Sequence, residues 1–183
     1  MKKAGIFFAT GYEEIEALTV VDLLRRAGIE AVCVAIDNQK SVTGSHNISV
    51  GMDIGIDELD FGSLDIIVCP GGMPGTKNLE TCKMLTDKVQ EFYDAGKLIA
   101  AICAAPMIFG HMELLKGKKA CIYPSMENEL IGADVVYDTV VKSDNVITSR
   151  GMGTAIDFGL EIIAALIGKQ AADDLAEKIV YIK

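Results

Sequence analysis

The chain has 183 residues, half of them apolar, with 6 % aromatic residues and no tryptophan, which suits one domain across 1–183 with a core of Val, Ile, Leu, Ala and Met. A net charge of −9 without a run of Lys or Arg sets aside nucleic acid as a partner, and five cysteines with no CxxC pair set aside a disulfide framework. The longest apolar stretch, 98–110, is interrupted by Pro106 and Gly110 and is too short for a bilayer, and no signal-peptide pattern follows Met1-Lys2-Lys3, so no membrane partner and a cytoplasmic address are expected.

Strand-like apolar runs occur at 4–9, 31–36, 64–70, 97–102, 120–123 and 145–149. Helix-period segments at 13–27, 79–95, 104–115 and 154–167, with a last one near 170–180, separate most of them. Such alternation predicts βαβ units, a mostly parallel sheet and helices on both faces, an α/β fold. Gly28, Gly96 and Gly168 each follow a helical pattern, where a positive φ closes the last turn. Between 40 and 53, weak alternation about Gly44 and Ser45 predicts a small antiparallel excursion.

In such a sheet, ligands bind beyond the carboxyl ends of the strands. Four loops are expected to open there: TGYEE, PGGMPGTKN, CAAP and SRGMGT. Neither glycine-rich loop has the spacing of a phosphate-binding motif, so no nucleotide cofactor is expected.

Cys103 ends an apolar strand, and its neighbours two positions away, Ala101 and Ala105, are small. Small-x-Cys-x-small after a strand is the thiol counterpart of the nucleophile elbow. Unpaired amides of the following helical turn would favour thiolate and lower the cysteine pKa. The segment taken alone fits a further core cysteine equally well. Cys33, Cys69, Cys82 and Cys121, in apolar strand or helix patterns, are expected to be buried hydrophobes.

Around the first helix, Ala17, Val20, Val21, Leu23, Leu24 and Ala27 form one apolar arc, with Glu14, Thr19, Asp22, Arg25 and Arg26 opposite. Glu16 falls inside the apolar arc. Burying an unpaired carboxylate costs several kcal/mol or keeps it protonated, so Glu16 is a candidate functional acid beside the alternative of an acid satisfied by backbone amides. Glu13 shares that arc but lies in the first turn, where acids are ordinary. Ile15 and Leu18 lie on the polar side and are expected to begin a homodimer contact. The two histidines, His46 and His111, stand far apart without neighbouring metal-ligating residues, so no metal site is expected.

The segments GYEEIEALTVVDLLRRAGI, IIVCPGGMPGTKNL, LIAAICAAP and SRGMGTAIDFGLEII resemble, in this order and over nearly the whole chain, the ThiJ/PfpI family, in particular its YajL-like, deglycase-type branch. The resemblance implies a flavodoxin-like three-layer sandwich, a homodimer, a reactive Cys103 and Glu16 as its hydrogen-bond partner. It also implies an oxyanion hole from the backbone amides of Gly72 and Ala104, with Gly71, His46, Tyr123 and Pro124 around the site. Ala104 stands where protease-like members carry histidine, and Tyr123 stands where others supply one, so Cys-His peptide hydrolysis is not expected. His46 occupies the place of an arginine in relatives, so the resemblance carries over no anion contact from that side.

These features imply cofactor-free chemistry by Cys103 on 2-oxoaldehydes, or on their early adducts with glycated proteins. An alternative is an oxidative-stress sensor or redox-regulated chaperone acting through Cys103 sulfinic acid. A thiazole-phosphate role would need a phosphate loop, and none is present in the sequence.

Overall fold

A computed structural model describes residues 1–181. Its centre is a seven-stranded sheet. The strands are β1 (Lys3–Phe8), β2 (Glu30–Ala35), β5 (Ile54–Gly55), β6 (Ile66–Cys69), β7 (Leu98–Ile102), β10 (Val140–Ser143) and β11 (Val146–Ser149), in the order β10-β11-β7-β6-β1-β2-β5. All neighbours pair in parallel except β10 and β11. Two small pairs lie outside it: the antiparallel hairpin β3 (Ser41–Thr43) and β4 (Ser49–Gly51), and the parallel pair β8 (Lys119–Ala120) and β9 (Asp134–Val135).

Alternate strand residues feed two apolar layers. Ile6, Phe8, Ile66 and Val68 join Leu24, Phe158 and Ile162, beneath α1 (Glu14–Arg26), α5 (Ala155–Ile167) and α6 (Lys169–Lys178). Phe7, Ile67, Cys69 and Ile99 join Leu79, Leu85, Val89 and Phe109, beneath α2 (Gly75–Thr81), α3 (Lys83–Asp94) and α4 (Pro106–His111). The result is the three-layer, flavodoxin-like α/β sandwich expected, with β6 buried along its whole length as a two-faced parallel strand must be. Gly28, Gly96 and Gly168 follow their helices at φ +76°, +69° and +102°. Among the described residues, no helix is long and apolar enough to cross a membrane.

Three elements differ from the sequence expectation. The helix expected at 79–95 is two helices broken at Cys82, whose backbone is extended. Leu79 lies roughly a third of a turn out of phase with Leu85, Val89 and Phe92, so one straight helix could not bury all four. Cys82 at the break is only half-buried, unlike Cys33, Cys69 and Cys121. The helix expected at 104–115 is only Pro106–His111: Gly110 packs on the Glu129 carbonyl, and Glu113 turns left-handed at φ +59°, letting Leu114 and Leu115 drop into the core. The strand expected at 120–123 stops at Ala120, because the Cys121 amide donates to the Thr148 hydroxyl (3.0 Å) instead of a ladder carbonyl. The short strands β5, β9 and β10 lack a clear period and were not legible.

Candidate active site

The four loops named from the sequence do gather at one sheet edge, and α1 brings the acid. Glu13 caps α1, its side chain accepting from the Glu16 amide at 2.7 Å. One turn in, Glu16 is 1 % exposed, and its Oε2 accepts from the Gly71 amide at 2.9 Å. Burial pushes its carboxyl up to about 7, against an opposing contribution from the Cys103 thiol and with a further push from Glu13.

Gly71 and Gly72 follow β6. A side chain at Gly71 would stand 2.6 Å from the Cys103 Cβ and 2.7 Å from the Glu16 carboxylate, so a residue without Cβ is what lets thiol and acid share one space. Gly72 runs at φ +91° with its backbone against that of Glu13.

Cys103 is the first residue beyond β7 and holds φ +64°. Its amide donates to the Ser149 carbonyl of β11 (3.0 Å) and its own carbonyl accepts from Tyr123 (2.9 Å), two bonds that hold a non-glycine residue in the left-handed region. This is the strained elbow that the flanking alanines predicted.

Its electrostatics are not those predicted. Burial, then the charge of Glu16 and a hydrogen bond to it, push the thiol well above its ordinary range, while the Ala104 and Gly72 amides pull the other way. The dipole of α4 does not reverse this, because Cys103 to Ala105 form a turn and the helix starts only at Pro106. The resting pair is therefore a protonated thiol facing an acid poised near neutrality, and a free thiolate requires the proton to move.

The half-buried Cys103 opens into a cleft of about 510 Å³ whose walls include Glu13, Glu16, His46, Tyr123 and Pro124. Gly71 is buried behind the thiol and outside this wall. Arg150, Thr139, Met152 and Thr154 also line the cleft and were not singled out from the sequence. The signal for three of them was the SRGMGT loop, which the alternation pattern had already brought to this edge.

Two further expectations are corrected here. Glu14, assigned to the polar face of α1, is 4 % exposed: its Oε1 accepts from the His46 amide at 2.7 Å, and its Oε2 from Ser45 Oγ at 3.3 Å and His46 Nδ1 at 2.9 Å. The β3–β4 hairpin folds over α1 and covers it. Burial opposes ionisation there, yet the His46 hydrogen bonds outweigh it and hold the carboxyl down to about 2; in return Glu14 raises the His46 pKa. The histidines also have metal-ligating neighbours after all. Ligand atoms of Glu13, Glu14 and His46 lie within 4.8 Å of one another, although both Glu14 oxygens are already occupied. His111 lies between Glu80 (2.5 Å) and Glu129 (2.7 Å).

The model of the DJ-1/PfpI family matches residues 2–165 of this chain, which therefore belongs to that family. The chain is 35 % identical to Drosophila melanogaster Protein dj-1beta, covering 96 % of this chain and 95 % of that protein. It is 35 % identical to Arabidopsis thaliana Protein DJ-1 homolog B as well, with 98 % of this chain covered but only 41 % of that longer protein spanned. It is 31 % identical to Caenorhabditis elegans "Glutathione-independent glyoxalase DJR-1.2", over 93 % and 91 % of the two chains. The solved structure "Toxoplasma gondii DJ-1, oxidized" superposes with a TM-score of 0.95 at 34 % identity and full coverage of both chains.

Proposed function

We propose that this member of the DJ-1/PfpI family is a cofactor-free enzyme that converts 2-oxoaldehydes, free or as early protein adducts, to 2-hydroxy acids through Cys103. The observation that carries this reading is the shared space left by Gly71, in which a thiol at a strained elbow faces a buried acid held near pH 7. A glyoxalase name on a relative that matches nearly end to end supports it.

Glu16 takes the thiol proton, and the sulfur adds to the aldehyde carbon as the C=O pair moves onto oxygen. In this reading the Gly72 and Ala104 amides, which favour negative charge on the sulfur, also donate to that oxygen, at a few kcal/mol per donor. Glu16 delivers its proton to the oxygen, giving a hemithioacetal. It then removes the hydrogen from the former aldehyde carbon and returns a proton to the adjacent carbonyl carbon, while the hydroxyl proton passes from the first oxygen to the second, leaving a thioester of the 2-hydroxy acid. Water cleaves the thioester and restores the thiol, so the sum is one oxoaldehyde plus one water to one hydroxy acid. An acid with pKa near the working pH is the effective carrier for such shuttling. The test is lactate formation from methylglyoxal: wild type turns over, and Cys103→Ala does not. Equal rates for the two would end the reading.

A second reading is supported by the same donors. When Glu16 is protonated, it and the two amides surround the sulfur with hydrogen-bond donors, a setting that holds an anionic sulfinate. Under this reading mild peroxide adds two oxygens to Cys103 in wild type but carries Glu16→Ala on to three, scored by intact and peptide mass. Identical oxidation states in both proteins would remove it.

As a homodimer, the chain would bury Ile15, which is 49 % exposed, and the neighbouring half-buried Leu18. A monomer mass in sedimentation at micromolar concentration would rule that out.

A further inference from the structure

Of the three arginines, two are neutralised: Arg25 is ion-paired to Asp53 and Arg26 to Asp22. Arg150 is different. It is half-buried in the wall of the Cys103 cleft, and none of the ion pairs among the described residues includes it. Its guanidinium stacks at 5.5 Å over the Tyr137 ring and makes one long bond from Nη1 to the Tyr137 carbonyl, at 3.4 Å. Its Nε is buried without a hydrogen-bond acceptor in the protein. A guanidinium carries five donors in a fixed fork, and leaving buried donors unmade is costly. Tyr137 orients the fork through its ring and one long bond to Nη1, and leaves Nε unpaired.

Strand order puts the backbone segments that carry this cation and that hold Glu16 on opposite sides of the strand that ends at the thiol. In the sheet β7, which ends at Cys103, lies between β6 and β11. On the β6 side Gly71 ties in Glu16; on the β11 side Ser149 accepts from the Cys103 amide, and Arg150 is the next residue. The cleft into which Cys103 opens is thus walled by Glu16 from the β6 side and by Arg150 from the β11 side.

Building on the function proposed above, we infer that Arg150 is a specificity-determining residue: it binds a carboxylate or phosphate on the substrate, on the flank of the reacting carbonyl away from Glu16. The preferred substrates are then small anionic 2-oxoaldehydes rather than neutral methylglyoxal. Both anions match the fork of a guanidinium bidentately.

The test separates charge from reactivity with two alkylating probes of nearly one shape, iodoacetate and neutral iodoacetamide, following the Cys103 peptide by mass. Arg150→Met is expected to slow carboxymethylation at least ~tenfold while the iodoacetamide rate stays within about twofold, and Arg150→Lys to lie between. Both rates falling together, or neither changing, overturns the inference. Wild type alone supplies a second arm. At fixed ionic strength, acetate or inorganic phosphate should protect Cys103 from iodoacetamide, and the one effective at lower concentration identifies the head group. Protection by neither overturns it. Because alkylation needs no turnover, a protein that shows the charge preference but makes no hydroxy acid from methylglyoxal or from an anionic 2-oxoaldehyde refutes the glyoxalase reading and leaves the anion site standing.

Discussion

Two glutamates on the first turns of α1, two residues apart and both almost fully buried, are driven in opposite directions. Glu14 is held down to about 2 and Glu16 is pushed up to about 7. Burial disfavours the charge of each; the difference lies in what meets the carboxylate. Glu14 receives a backbone amide, a hydroxyl and an imidazole from the β3–β4 hairpin. Glu16 receives one amide, from Gly71, and faces a thiol. The same residue type within one turn thus gives an ionised anchor under the hairpin on one side of the helix and, on the opposite side, an acid poised near neutrality.

The largest expected effect that tests this contrast is on turnover. Glu16→Gln should reduce kcat by ~10²–10⁴-fold, whereas Glu14→Gln, which leaves the carrier in place, should reduce it far less; equal losses in steady-state assays would erase the distinction. Removing the Glu16 charge should also lower the Cys103 pKa, since that charge raises it. Thiolate absorbance titrated against pH should therefore move to lower pH in Glu16→Gln, and an upward move would contradict the coupling.

Stability against pH should separate the two acids next. The Glu16 pKa is raised on folding, from 4.5 to about 7, so the native state binds the extra proton and stability falls as pH rises through that window. That loss, on the order of 3 kcal/mol between pH ~4.5 and ~8, should be absent in Glu16→Gln. For Glu14 the sign reverses. Its pKa is depressed on folding, so its contribution is complete above 4.5 and is lost as pH falls toward about 2. Denaturant midpoints of wild type and Glu14→Gln should converge at the acid end and separate by about 1–3 kcal/mol at neutrality. Parallel curves for both variants would show that burial alone governs the pair.

The smallest effect concerns His111, a carboxylate–imidazole arrangement nearer the surface. Its pKa is raised: desolvation opposes protonation, but Glu80 and Glu129 outweigh it. The stabilisation it gives is therefore complete below the ordinary value of 6.5 and lost as pH rises through the raised one. With the ring 34 % exposed, solvent screening limits His111→Ala to about 1 kcal/mol at pH 6 and less at pH 9. A variant that loses more at pH 9 than at pH 6 would reverse the sign.

The α/β alternation, the parallel sheet and the elbow at Cys103 were legible in the sequence because each is a local signal: a period, a length, or small residues two positions either side of a cysteine. Glu16 was legible too, as a charge out of place in an apolar arc. Glu14 was misassigned because its cover comes from a hairpin that begins twenty-seven positions later, and a helical projection contains no information about what packs on its outer face. The break at Cys82 lay in the phase of Leu79 against Leu85, a signal present but weaker than the helix pattern around it.

What the sequence settled by itself was the fold, and it pointed to one thiol and one acid as candidates, since periodicity and misplaced charge are properties of the chain. The direction of the thiol pKa, the burial of Glu14 and the presence of Arg150 in the wall of the Cys103 cleft were decided only in three dimensions. Each depends on the distance between groups far apart along the chain, and electrostatic energy in a poorly solvated cleft is set by that distance and not by order along the chain.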